Sequence, residues 1–146
     1  MKRIWLFSIV FLIFVTAVGA ERINVDETGL AIKGYDPVAY FRAERALQGS
    51  EEWEVSYKGA RYLFVNEENR NLFQENPEAF LPAYGGYCAW AVSQDYLAGI
   101  NPEAWTIRQN ILYLNYNSTI QNRFEANISQ LIKKADGNWQ NLGEKP

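Results

Sequence analysis

Trp53-Glu54-Val55-Ser56-Tyr57-Lys58-Gly59-Ala60-Arg61-Tyr62-Leu63-Phe64 decides how this chain folds. Trp53, Val55 and Tyr57 alternate with polar residues, Lys58-Gly59 supplies a turn, and Tyr62 and Phe64 resume the alternation, so the segment predicts a β-hairpin with one buried face. A hairpin cannot bury that face alone, and the flanking residues supply the cover. Upstream, Asp36 precedes Pro37, an arrangement suited to an N-cap followed by a short helix, because proline at the first helical position loses no needed N–H. Downstream, Asn66 reads as an N-cap, Glu67 and Glu68 suit the first turn of a helix, Leu72 and Phe73 face inward, and Asn76 before Pro77 marks the end. One further helical turn is expected over Glu78 to Leu81.

A second hairpin is expected from Trp105–Arg108 and Ile111–Tyr116 around Gln109-Asn110. Ser118 with Gln121 resembles a capping box, and Ile120, Phe124, Ile128, Leu131, Ile132 and Ala135 keep helical spacing, which predicts one long final helix. The polar, glycine-bearing residues 136–146 are expected to fray, apart from Trp139 folding back on the body. No internal repeat, low-complexity tract or long linker stands out. The expected class is α+β, a small antiparallel sheet of two hairpins packed against helices on one side.

The start of the chain predicts export. Lys2 and Arg3 precede an apolar run from Ile4 to Val18, and Val18-Gly19-Ala20 fits signal-peptidase cleavage after Ala20. The run is shorter than the roughly 18 to 20 residues that cross a bilayer comfortably, so residues 1–20 read as a signal peptide rather than an anchor. The mature chain, 21–146, is then one periplasmic or secreted domain with no membrane association. Cleavage removes two cations, so 14 basic and 17 acidic residues become 12 and 17, and the net charge moves from -3 to -5. No basic cluster remains to neutralise phosphates, which argues against nucleic acid.

Candidate chemistry gathers in Tyr84-Gly85-Gly86-Tyr87-Cys88-Ala89-Trp90. Cys88 is the single cysteine, so an exported chain cannot close an internal disulfide with it. The thiol is free, metal-bound, joined to another molecule, or buried as a small apolar group. Gly85 and Gly86 permit unusual φ and bare backbone N–H groups, while Tyr35, Asp36, Tyr84 and Tyr87 can line a pocket around the thiol. Core packing and the cap explain those four equally well.

The chain has 0 His, which excludes Ser-His-Asp and Cys-His machinery, histidine-bound zinc and histidine-ligated haem. One cysteine excludes a Cys-X-X-Cys pair and a four-thiolate zinc site. No catalytic residue is assigned, Cys88 aside in a redox role. Between Asn71 and Ile107 there is no Lys or Arg, whereas Glu75, Glu78, Asp95 and Glu103 fall in that window. Local charge therefore favours a bound metal cation, or raises the thiol pKa and leaves Cys88 sluggish, unless folding brings in Arg61, Arg70 or Arg108, and the same carboxylates also read as solvated surface.

The runs Gly34–Phe41, Tyr57–Phe64, Asn66–Phe73, Asn76-Pro77 and above all Tyr84–Ala89 together resemble the YHS domain family in its exported single-domain branch, over residues 29–140. The resemblance implies a small metal-binding module, similar to those found beside heavy-metal transporters and oxygenases. It also implies that the position of Cys88 is one that relatives fill with selenocysteine. Ala91 stands where relatives carry glycine, and the histidine of the family's three-letter name is missing. Three functions are expected in order: a soft-metal binder, copper first, holding the ion through Cys88 with oxygen ligands or a second subunit's cysteine and with a metal-handling protein as partner; a thiol that reduces or senses an oxidant; and a structural or interaction module with an inert thiol.

Overall fold

The computed structural model describes residues 20–144, so the proposed signal segment lies outside the described residues except for Ala20. Short helix α1 spans Ala39–Arg42, hairpin strands β1 and β2 span Ser50–Tyr57 and Ala60–Phe64, and helix α2 spans Glu67–Glu75. Helix α3 at Ala89–Ser93 follows, then strands β3 at Asn101–Arg108 and β4 at Ile111–Asn115, and helices α4 at Ser118–Ala126 and α5 at Ile128–Leu142. The α+β class with two antiparallel hairpins is as expected. The hairpins form two separate two-stranded sheets and do not pair into one.

Both hairpins turn through two left-handed residues, Lys58 (φ 48°) with Gly59 (φ 80°) and Gln109 (φ 51°) with Asn110 (φ 60°), the geometry whose twist matches paired strands. Asn66 caps α2 as expected, its side chain accepting from Asn69 N–H at 2.8 Å, and the helix stops at Asn76 before Pro77. The turn expected over Glu78 to Leu81 is a single 3₁₀ turn at Pro77–Ala79.

Three expectations about the C-terminal part are corrected. Asn117, not Ser118, caps α4, accepting from Ile120 N–H at 2.9 Å. The single long helix is two, broken at Asn127, which leaves the helical region (φ -136°, ψ 39°). The described part of the tail does not fray: α5 runs through Gly137 to Leu142 because Trp139 and Leu142 pack into an apolar cluster with Tyr84, Tyr113, Phe124 and Leu131. The first described residues tie this end down, with Arg22 N–H donating to Gly143 C=O at 2.8 Å.

The fold also contains the repeat that the sequence hides. Strand, strand and helix have lengths 8, 5 and 9 in both halves. The pairing Glu54 with Leu63, then a bulge, then Ser50 with Phe64 recurs as Trp105 with Leu114, the same bulge, then Asn101 with Asn115. Tyr62, Leu63, Asn66, Asn71, Phe73 and Asn76 recur as Tyr113, Leu114, Asn117, Asn122, Phe124 and Asn127, each 51 positions on (66 to 117). Ahead of each hairpin, three consecutive left-handed residues, Ile32-Lys33-Gly34 and Tyr84-Gly85-Gly86, lead into Tyr35-Asp36 and Tyr87-Cys88. Asp36 N–H then donates to Leu47 C=O and Cys88 N–H to Ala98 C=O. Asp36 and Cys88 therefore occupy equivalent places, and the halves interlock through Tyr40, whose hydroxyl donates to Pro102 C=O at 2.9 Å while its ring meets Trp105 edge-on.

Candidate functional site

The left-handed residues of Tyr84-Gly85-Gly86 reverse the chain and drop Cys88 beneath the start of α3. Cys88 is 1% exposed and belongs to the core cluster that includes Phe64, Leu112 and Leu114. Its thiol faces Asn115 Oδ1 at 3.6 Å, and the same oxygen accepts Trp90 N–H at 3.1 Å. One carboxamide from the end of β4 thus holds both the thiol and the first turn of α3. Asn115 is itself 0% exposed, and its Nδ2 has no hydrogen-bond partner among the described residues. A buried amide nitrogen without an acceptor costs about 1–3 kcal/mol, so this orphan needs a reason.

Burial pushes the Cys88 thiol above its ordinary value of 9.0, while the backbone N–H groups of Ala91, Tyr116 and Trp90, which face the sulfur, pull the other way without cancelling it. No charged side chain contributes. The carboxylates expected near the thiol do not reach it: Glu78 is engaged by Lys58 at 2.7 Å and by Tyr57, and Asp95 and Glu103 are exposed. Arg61 and Arg70 are likewise committed, to Glu54 and Glu67. Arg108 donates to Ser129.

A pocket of about 190 Å³ reaches Cys88, walled by Trp90, Ala91, Tyr96, Ala98, Tyr116 and Ile120. Tyr35, Asp36, Tyr84, Gly85, Gly86 and Tyr87 do not line it. Tyr35 pairs with Gln48 across an isolated bridge. Tyr84 donates to Asp136 at 2.8 Å and packs on Tyr113 and Trp139, and Tyr87 also meets Trp139. The two glycines bring in the N-terminal segment: Asn24 N–H donates to Gly85 C=O at 2.8 Å and Asn24 Nδ2 to Gly86 C=O at 3.1 Å. Ala91, where glycine was the family expectation, lies inside α3 with ordinary helical backbone.

Asp36, in the matching place of the first half, is 0% exposed and accepts four hydrogen bonds. Oδ1 takes Val38 N–H at 2.7 Å and Ala39 N–H at 3.1 Å. Oδ2 takes Val65 N–H at 2.9 Å and Asn69 Nδ2 at 2.8 Å. The helix expected to start at Pro37 behind an Asp36 cap instead starts at Ala39, with Val38 at its N-cap and no side-chain cap, and Asp36 binds the N–H groups of Val38 and Ala39 from the turn ahead of it. The sequence reading missed Asn115. Its signal was the repeated Tyr-Leu-x-x-Asn pattern, in which Asn115 replaces the apolar Phe64 two residues before a cap.

Among the described residues no group of three or more His, Cys, Asp or Glu is placed to hold a metal ion, and no helix is long and apolar enough to cross a membrane. A scan against protein-family models, a search of curated proteins and a search of solved structures find no match to this chain.

Proposed function

We propose that this chain is an exported, YHS-like thiol protein in which Cys88 is the single redox-active group, oxidised by a small hydroperoxide that enters between Tyr96 and Tyr116. The observation that carries this reading is the pocket that opens at the buried sulfur, where the backbone N–H groups of Ala91, Tyr116 and Trp90 offset part of what burial costs a charged thiol. Their positive ends favour an anion at that spot, in the way oriented backbone amides do elsewhere. The sulfur attacks one peroxide oxygen, the O–O bond breaks, and the displaced hydroxide or alkoxide takes a proton. A sulfenic acid results. With 1 Cys in the chain, no internal partner converts it to a disulfide.

The same surroundings fit copper less well. One thiol, one amide oxygen already used by Trp90 N–H and converging N–H dipoles make a poor cage for a soft cation, which wants further thiolate, thioether or imidazole donors. A copper site here calls for donors from a second copy or a metal-handling partner.

Treating the reduced protein with hydrogen peroxide in the presence of a sulfenic-acid trap tests the reading. The trap should add at Cys88 in the wild type and not in Cys88→Ser. An unmodified Cys88 would sink it. If Cu(I) at one equivalent instead slows alkylation and raises the melting temperature, with both effects lost in Cys88→Ser, the soft-metal reading takes its place.

A further inference from the structure

The niche around Cys88 occupies the place in the second half that in the first half holds a carboxylate. Val38, Ala39 and Val65, whose N–H groups bind the oxygens of Asp36, correspond in the second half to Trp90, Ala91 and Tyr116, the residues whose N–H groups face the sulfur. The fourth donor also has a counterpart of the same chemistry. Asn69 Nδ2 completes the first niche, and Ile120 stands at its place in the second, yet Asn115 lies against the sulfur there, its Oδ1 accepting from the thiol at 3.6 Å and its buried Nδ2 left without a partner among the described residues. Phe64, its equivalent in the first half, has no polar atom to offer. The second niche thus carries a buried carboxamide and backbone N–H groups, of which that of Trp90 is taken by Asn115 Oδ1, but, in place of two carboxylate oxygens, one thiol that donates to that same oxygen.

From this geometry we propose that the Cys88 niche is an acceptor site for the oxygens of an oxidised cysteine, and that Cys88 is carried to a sulfinate held there as Asp36 holds its carboxylate. A sulfinate sets two oxygens on the atom beyond Cβ, as aspartate does, and one negative charge. The inference rests on the redox reading above and adds the product and what stabilises it. After the sulfenic acid forms, its sulfur attacks a second hydroperoxide. A second S–O bond forms as the O–O bond breaks, the peroxide is reduced to hydroxide or alkoxide that takes one proton, and the sulfinic acid so formed releases its remaining proton to solvent to leave the sulfinate. A sulfinate oxygen no longer donates to Asn115 Oδ1, and a turn of the amide brings its unpartnered Nδ2 to that oxygen. A pocket of about 190 Å³ opens at the sulfur and admits a molecule the size of hydrogen peroxide.

The experiment compares melting temperatures of reduced and peroxide-treated full chain, with intact mass to count oxygens. Oxidation should stop at two added oxygens and raise the melting temperature, by on the order of 3 °C or more for a chain of this size. In Asn115→Ala the rise should shrink by at least half, a difference within one variant that any general loss of stability leaves untouched. An oxidised wild type that melts at or below the reduced form overturns the proposal, even if the sulfenic acid is trapped. If Cys88 takes up no oxygen at all, the redox reading fails, and the niche is judged separately by Cys88→Asp against its neutral match Cys88→Asn. Asp melting above Asn supports an acceptor-seeking niche. Asp melting at or below Asn, or failing to fold where Asn folds, overturns it.

Discussion

Asn115 holds Cys88 from the opposite end of the second hairpin: its Oδ1 lies 3.6 Å from the sulfur and 3.1 Å from Trp90 N, so one buried amide fixes the thiol and the start of α3 together. Replacing it by alanine leaves Trp90 N–H without its acceptor and opens a gap beside the sulfur. Asn115→Ala should lose about 1–3 kcal/mol, read from urea unfolding, and Cys88 should alkylate faster than in the wild type. Unchanged stability would mean that the amide is a bystander.

Asp36 ties three elements through four hydrogen bonds, two to the start of α1, one to Val65 after β2 and one to Asn69 in α2. Removing the carboxylate strands all four donors, most of them out of reach of water. Asp36→Ala should cost about 3–4 kcal/mol, a loss at the severe end for a single substitution. Asp36→Asn keeps acceptors for part of the set and should cost less. Equal losses in the two variants would show that shape rather than hydrogen bonding matters there.

The hairpins and the first helix caps were legible because each is written locally: alternation in Trp53-Val55-Tyr57, a two-residue turn at Lys58-Gly59, and Asn66 three residues before the N–H it receives. What was not legible depends on distant packing. The polar stretch from residue 136, with Gly137 in it, reads as a fraying tail, yet Trp139 and Leu142 are held by Tyr84 and its neighbours, and tertiary burial outweighs glycine's weak helix preference. Ser118 with Gln121 imitates a capping box, but the oxygen that reaches the free N–H belongs to Asn117. The repeat is concealed because its identities fall on caps and buried ring positions, while the site residues differ: Asp36 against Cys88, Phe64 against Asn115, Asn69 against Ile120. The pairing of Asp36 with Cys88 and the orphan on Asn115 are visible only once the strands are in register.

Gly85 was read as serving the thiol, and its surroundings assign it elsewhere. Its φ is +59°, and a Cβ there would strike the backbone carbonyl of Arg22. Gly85→Ala should therefore cost more than Gly59→Ala, whose position is also left-handed (φ +80°) but meets nothing within 4 Å. About 1 kcal/mol is expected at Gly59 and at least about 2 kcal/mol at Gly85, where the Arg22–Asn24 segment must also shift. Proteolysis between residues 20 and 25 should speed up in the Gly85 variant alone.

The raised Cys88 thiol fixes the sign of a pH effect. Burial favours the neutral form, so the folded thiol holds its proton at pH values where the unfolded thiol has begun to lose it. The stability this contributes is complete below the ordinary thiol value of 9.0 and is lost as pH rises through the higher folded value. Buried tyrosines such as Tyr40 and Tyr62 are raised as well, so alkaline unfolding of the wild type alone does not isolate the cysteine. The difference between wild type and Cys88→Ser does. It should favour the wild type least at high pH, and the rate of Cys88 alkylation should still be climbing where that of a small free thiol has levelled off. A midpoint at or below 9.0 for alkylation would mean that the N–H groups of Trp90, Ala91 and Tyr116 cancel or outweigh burial.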